Sequence, residues 1–181
     1  MFDYLFKTII VGDPGVGKTS ITLRFATGIF RERYLPTIGV EFSVKDVKVD
    51  GKHIKLQLWD TGSHDRFSYI RPMYYRGSFG VLLVFDLTSR TSFEHLDKWF
   101  KEVYTNCEGR IPAIIVGNKI DIAEKREVSY DEVIKYAEEK KKEYQFKTLP
   151  YYEVSAKENK HINEIYHHLT KLMIEFSDKM S

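Results

Sequence analysis

The sequence predicts an α/β fold: one domain over residues 1–181, with a six-stranded, mostly parallel sheet, one antiparallel strand and helices on both faces. Three observations carry this. Runs rich in β-branched and apolar residues alternate with stretches of helical periodicity, as in strands joined by crossover helices. Phe79–Asp86 is almost wholly apolar, which suits a parallel strand buried on both faces. Val40–Val49 and His53–Trp59 are joined at Asp50-Gly51, a strong hairpin signal that makes this pair antiparallel.

In chain order, the first strand spans Tyr4–Val11 and ends at Gly12, and a helix runs from near Gly17 to Thr27. Gly28–Gly39 reads as a loop broken by Pro36, and the hairpin follows. Thr61–Pro72 is loop passing into a short helix, and Gly77 and Thr88 bound the strand Phe79–Asp86. A helix over Ser92–Cys107 aligns Phe93, Leu96, Phe100, Val103 and Cys107 on one face. Then come a strand at Ile111–Gly117, a helix at Asp131–Tyr144 and a strand at Leu149–Val154. The last helix, Asn163–Phe176, carries an apolar stripe of Ile165, Tyr166, Leu169, Leu172, Met173 and Phe176, with Ile162 just ahead of it. The mixed-charge run Glu138–Glu143 reads as a solvated helix face, and His161, His167 and His168 as surface histidines.

Composition narrows the function classes. With 28 Lys+Arg against 26 Asp+Glu, the net charge of +2 is too small for a nucleic-acid footprint. Cys107 is the single cysteine, so intrachain disulfides and cysteine zinc sites are excluded and a reducing, cytoplasmic setting is expected. The longest apolar run, Phe79–Phe85, falls far short of the ~20 residues of a membrane span. Phe2 stands where myristoylation needs glycine, and no cysteine lies near the C-terminus. Any membrane association is therefore expected to be peripheral, through partners or a tail missing from this chain.

Gly12-Asp13-Pro14-Gly15-Val16-Gly17-Lys18-Thr19 matches G-x-x-x-x-G-K-[ST] between a strand and a helix. Glycines let consecutive N–H groups curve round phosphate oxygens, and the helix that begins there adds its positive dipole end. Lys18 reaches the β- and γ-phosphates and Thr19 offers a hydroxyl to Mg²⁺. Asp13, Gly15, Val16, Gly17 and Ser20 complete the expected phosphate contacts. Kinases and motor ATPases share this loop, so the base must be read elsewhere.

Asn118-Lys119-Ile120-Asp121 and Ser155-Ala156-Lys157 each follow a strand, and ligands of open α/β sheets bind beyond the carboxyl ends of strands. A carboxylate at Asp121 accepts from the adjacent N1–H and 2-amino donors of guanine, which adenine lacks.

Together these stretches resemble the Ras-like small GTPases, and most closely the Rab branch. The phosphate loop, Thr37, Trp59-Asp60-Thr61-Gly62, Asn118–Asp121 and Ser155–Lys157 stand in the family's order. Ile38–Phe42, Arg66-Phe67, Tyr74–Gly77 and Leu83–Asp86 resemble Rab-type stretches. The resemblance implies a P-loop NTPase fold and a GTP/GDP switch that hydrolyses GTP. It implies that Thr19 and Thr37 bind Mg²⁺, that Asp60 holds a metal-bound water, and that Phe30 packs edge-on against guanine. Asn118, Asp121 and the Ala156 backbone would read the base, flanked by Lys119, Ser155 and Lys157. Thr37 and the loop after Asp60 would be switches, read by effectors, an exchange factor and an activating protein through Val40, Phe42, Trp59, Phe67 and Tyr74, unless these are core.

One stretch departs. Where the family carries Asp-Thr-Ala-Gly-Gln-Glu, this chain has Asp60-Thr61-Gly62-Ser63-His64-Asp65. Ser63 replaces the glycine whose amide reaches the γ-phosphate, His64 replaces the glutamine that orients water, and Pro14 replaces a small residue beside that water. Gly62 can supply the flexibility lost at Ser63. The expectation is a catalytic group of His64, Lys18 and Thr37 with slow hydrolysis; the alternative is a GTP-binding scaffold with negligible hydrolysis.

Overall fold

Strand β1 (Tyr4–Val11) pairs in parallel with both β3 (Lys52–Thr61) and β4 (Gly80–Asp86). The computed structural model describes residues 1–180. With β2 (Val40–Val49), β5 (Ala113–Asn118) and β6 (Tyr151–Glu153), the sheet has six strands in the order β2-β3-β1-β4-β5-β6. Only the β2–β3 pair is antiparallel. Its turn places Asp50 at φ 49° and Gly51 at φ 80°, both left-handed, as a two-residue hairpin of the right twist requires.

Every residue of β4 and β5 is buried, because helices cover both faces. On one face α1 (Lys18–Thr27) and α6 (Ile162–Met180) bring Ile21, Phe25, Tyr166 and Leu169 onto Ile10, Leu82 and Ile114. On the other, α4 (Leu96–Asn106) and α5 (Tyr130–Glu143) bury Phe100, Val103 and Val133 against Leu83, Phe85 and Ile115. Edge strand β2 turns Lys48 and Asp46 outward, which discourages pairing with another chain.

Two expectations change. The helix expected over Ser92–Cys107 is two: α3 (Arg90–Glu94) and α4, parted at His95, where ψ relaxes to −5°. His95 directs Nδ1 to Asp13, a pull from outside the helix that apolar periodicity cannot register. The run Glu138–Glu143 is not wholly solvated: Lys140 is largely buried and ion-pairs with Asp97 of α4 at 2.7 Å. Beyond these, the segment after β5 forms 3₁₀ turns over Ile120–Lys125, kinked at Ile122. As for the histidines, His161 and His167 are exposed, and half-buried His168 hydrogen-bonds Tyr152 at 2.8 Å.

The short helix α2 (Arg71–Tyr75) is tied to α4 by a buried polar cluster. Arg71 is wholly buried and grips Glu102 with two bonds, 2.7 and 3.0 Å, while the Tyr75 hydroxyl donates to the same carboxylate at 2.6 Å. Burial alone would raise the Glu102 carboxyl, but the Arg71 and Tyr75 hydrogen bonds hold it below its ordinary value. Removing one partner leaves a buried charge, so Glu102→Ala is expected to lose about 3–5 kcal/mol. The double variant Arg71→Met/Glu102→Leu should recover most of that. Urea unfolding of wild type and the two variants checks this; a double variant no more stable than Glu102→Ala contradicts the coupling.

Candidate nucleotide site

The loop from Gly12 to α1 opens at the carboxyl end of β1, beside the ends of β3, β4 and β5. Gly17 caps α1 at φ 99°, and a Cβ there would collide with the Asn118 amide, so both conformation and space demand glycine. Asn118 in turn ties the two sides of the cleft: its amide donates to Val16 O at 2.9 Å and its Oδ1 accepts from Ala156 N at 3.3 Å.

Two connected cavities make up the cleft. The larger, about 380 Å³, is lined by Phe30, Asn118, Lys119, Asp121, Ala156 and Lys157. The smaller, about 40 Å³, is lined by Pro14, Lys18, Thr37, Thr61, Ser63 and His64. Gly15, Gly17, Thr19 and Ser20 belong to both.

In the larger cavity, Ser155 Oγ donates to Asp121 Oδ1 at 2.7 Å, which fixes the carboxylate and leaves Oδ2 without a partner among the described residues. Lys119 adopts a left-handed φ of 73°, ion-pairs with Asp86 at 2.7 Å and donates to Gly15 O at 3.0 Å. The Arg24 guanidinium stands 5.7 Å from the Phe30 ring and donates to the Ala156 and Lys157 carbonyls, tying α1 to the loop after β6.

In the smaller cavity, Lys18 is buried at 6% exposure and donates to Asp13 O at 2.8 Å and Ser63 Oγ at 3.1 Å. Burial pushes its ammonium down to about 8, against the pull of Asp60 and Asp13. Thr19 Oγ1 lies 2.7 Å from Thr37 Oγ1 and donates to Asp60 Oδ2, which also accepts from Thr37 at 3.5 Å. Burial pushes the Asp60 carboxyl up to about 6, despite the Thr19 hydrogen bond and the Lys18 charge. Asp60 Oδ1 is buried with no hydrogen-bond partner among the described residues. Converging hydroxyls, a carboxylate and an orphaned oxygen are the hard donor set that suits Mg²⁺.

The structure thus gathers the expected residues, with adjustments at five positions. The Asp13 carboxylate faces away from the phosphate side: His95 Nδ1 meets it at 2.6 Å and Trp99 Nε1 donates to it at 2.8 Å. Val16 is a core residue, 1% exposed, that serves through its backbone. Gly62 is outside the positive-φ set; its smallness instead admits the other loop, for its N–H donates to Gly39 O at 2.6 Å and a Cβ would press on Thr37 O. Ser63 lies in ordinary backbone too. His64 is exposed, and its ring makes no hydrogen bond among the described residues, although Arg71 holds its carbonyl at 3.0 Å.

Sequence reasoning missed Tyr34, which lines both cavities, and the clamp of His95 and Trp99 on Asp13. A tyrosine in the loop before Thr37 was the available signal for the first. Nothing local to Asp13 signalled the second.

Comparison with known proteins places this geometry. The Ras family model matches residues 7–175. Ras-related protein Rab-13 of Canis lupus familiaris is 39% identical over 170 residues, covering 94% of this chain and 80% of that protein. Ras-related protein Rab-1 of Theileria parva is 40% identical over 173 residues, covering 95% and 76%. Ras-related protein RIC1 of Oryza sativa subsp. japonica is 40% identical over 165 residues, covering 91% and 78%.

The raised Asp60 carboxyl fixes a pH dependence. Protonated, the buried group carries no desolvation cost; that stability is lost as pH rises through about 6, and a cation paired with the carboxylate offsets the loss. Protons therefore compete with Mg²⁺ below that value, and affinity should fall about tenfold from roughly pH 7 to pH 5. Mg²⁺ titrations of the GDP complex, wild type against Asp60→Asn, check this. Equal slopes in the two proteins contradict it.

Proposed function

The chain belongs to the Ras family, in its Rab branch, and on that premise we propose that it works as a slowly cycling guanine-nucleotide switch. It is a small GTPase that binds GTP and GDP with Mg²⁺ and hydrolyses GTP to GDP. The observation that carries the proposal is the wall the two cavities share: Gly15, Gly17, Thr19 and Ser20 line both the Asp121 compartment and the one lined by Lys18 and Thr37, and Asp60 bonds to Thr19 and Thr37 behind it. One nucleotide laid across them meets base-reading groups at one end and charge-stabilising groups at the other.

In this reading Asp121, aligned by Ser155, accepts from both guanine donors while Phe30 and the stems of Lys119 and Lys157 flank the ring. Lys18 pairs with the β- and γ-phosphates, which supply the counter-charge its burial calls for. Thr19, Thr37 and Asp60 would hold Mg²⁺, which when bound would supply positive charge beside those phosphates. The bond from Gly62 to Gly39 joins the two switch loops, so an event at Thr37 is felt at His64.

Three residues slow the chemistry. His64 lines the small cavity, and among the described residues no hydrogen bond fixes the orientation or tautomer of its ring. Pro14 lines the same cavity and offers no N–H. Ser63 places a side chain where the family has none. The same three favour the second reading, a GTP-binding scaffold that hardly hydrolyses.

Partners are proposed to read the exposed surface beside the switches. Phe42 packs edge-on to Trp59 at 5.4 Å, Trp59 lies 6.2 Å from Tyr74, and Ile38, Tyr69 and Met73 are exposed around them. Effectors, an exchange factor and an activating protein are the expected classes. Among the described residues no helix is long and apolar enough to cross a membrane. The proposed setting is cytoplasmic, peripheral to a membrane by way of partners or of a tail outside this chain.

Base selectivity tests the site. A site built around a hydrogen bond rejects a ligand that lacks the group by about 10⁴-fold or more, so GDP should outcompete ATP by that margin. Asp121→Asn should shift preference toward xanthine nucleotides. ATP competing on equal terms refutes the assignment. Hydrolysis is tested by single-turnover rates, expected at or below the Ras intrinsic value of about 3–5 × 10⁻⁴ s⁻¹. His64→Gln should raise the rate and His64→Ala should not. No turnover in wild type favours the scaffold; three equal rates remove His64 from the mechanism.

A further inference from the structure

Ser63 is a polar side chain buried to 8% exposure in the small cavity. Its Oγ accepts a hydrogen bond from Lys18 Nζ at 3.1 Å. A hydroxyl that accepts from an ammonium turns its own proton away from that charge. Among the described residues that proton finds no acceptor. Lys18 spends a second N–H on Asp13 O at 2.8 Å, which leaves its third unspent. An ammonium donor and a hydroxyl donor, mutually bonded, are thus both left to serve a further acceptor in the same small space.

The position of Ser63 along the cleft identifies that acceptor. It shares its cavity with Pro14, Thr37 and His64, while Asn118, Asp121 and Ala156 line the other. A nucleotide whose base lies among the latter directs its last phosphoryl group toward Ser63. Lys18 gives the side chain its direction, by its bond to Ser63 Oγ, while the bond from Gly62 to Gly39 anchors the backbone just before it.

We propose that the Ser63 hydroxyl is a ligand of the γ-phosphate, donating to an oxygen beside Lys18, and that it sets the preference of this site for triphosphate over diphosphate. The inference rests on the reading of the cleft as the nucleotide site and goes beyond it, since that reading asks only for the Ser63 backbone amide. The hydroxyl is a specificity group: GDP has nothing for it to bind, so its contribution falls on one nucleotide alone. A hydrogen bond to a charged oxygen in a buried site corresponds to about tenfold or more in affinity.

The experiment measures equilibrium affinities for GDP and for the β,γ-imido analogue of GTP, with Mg²⁺, on wild type, Ser63→Ala and Ser63→Thr. Ser63→Ala is expected to weaken the analogue by about tenfold and to leave GDP within about twofold, while Ser63→Thr, which keeps the hydroxyl, retains the wild-type ratio. The γ-phosphorus resonance of the bound analogue should shift in Ser63→Ala while the α resonance stays. An analogue-to-GDP ratio unchanged by Ser63→Ala, including equal loss of both, overturns the proposal, and so does tighter analogue binding. Wild type that binds neither nucleotide overturns the nucleotide-site reading itself, and the inference falls with it.

Discussion

A buried ammonium at the carboxyl end of a parallel sheet is the constraint around which the rest of the structure is arranged. Lys18 sits at the start of α1 with 6% of its surface exposed, where burial disfavours its charge. The Asp13 carbonyl, the Ser63 hydroxyl and the nearby Asp60 carboxylate offset part of that cost. Each comes from a different place: the loop after β1, the loop after β3 and the end of β3. The parallel order of β3, β1 and β4 is what delivers those ends to one point. A polyanion that brings counter-charge completes what the protein leaves incomplete, so folding and ligand binding draw on the same charges.

Much of this was legible in the sequence because its causes are local. The hairpin follows from Asp50-Gly51, whose left-handed geometry is a property of two residues. The phosphate loop follows from glycine spacing, and Gly17 sits at φ 99°. What escaped has distant causes. The clamp on Asp13 joins positions separated by 82 and 86 residues, and Arg71 finds Glu102 across 31. Periodicity describes one element at a time, so it saw a single helix where His95 is drawn out toward the phosphate loop. The run around Lys140 misled for the same reason: its charge pattern is that of a solvated face, but its partner is Asp97 on another helix.

The departures between Gly62 and His64 acquire a different meaning in three dimensions. Motif comparison treats Gly62 as a source of flexibility. The structure uses it for proximity, since only a hydrogen in place of Cβ lets the Thr37 and Gly39 carbonyls come so near. Ser63 carries no backbone strain, so its consequence lies in its hydroxyl. His64 is the reverse: its backbone is fixed by Arg71 while its ring is free. Each of the three contributes through a different part of the residue, a distinction that the motif letters do not contain.

The placement of the two tryptophans has an optical consequence. Trp99 donates its indole N–H to Asp13 and lies beneath the Arg71 guanidinium, so its emission is exposed to the field of the phosphate loop. Trp59 lies on β3, with Lys7 4.0 Å over its ring and Phe42 and Tyr74 alongside. One indole therefore reports on the ligand side and the other on the partner side. With no label attached, the chain offers two indoles in different surroundings for the two events a switch must keep distinct.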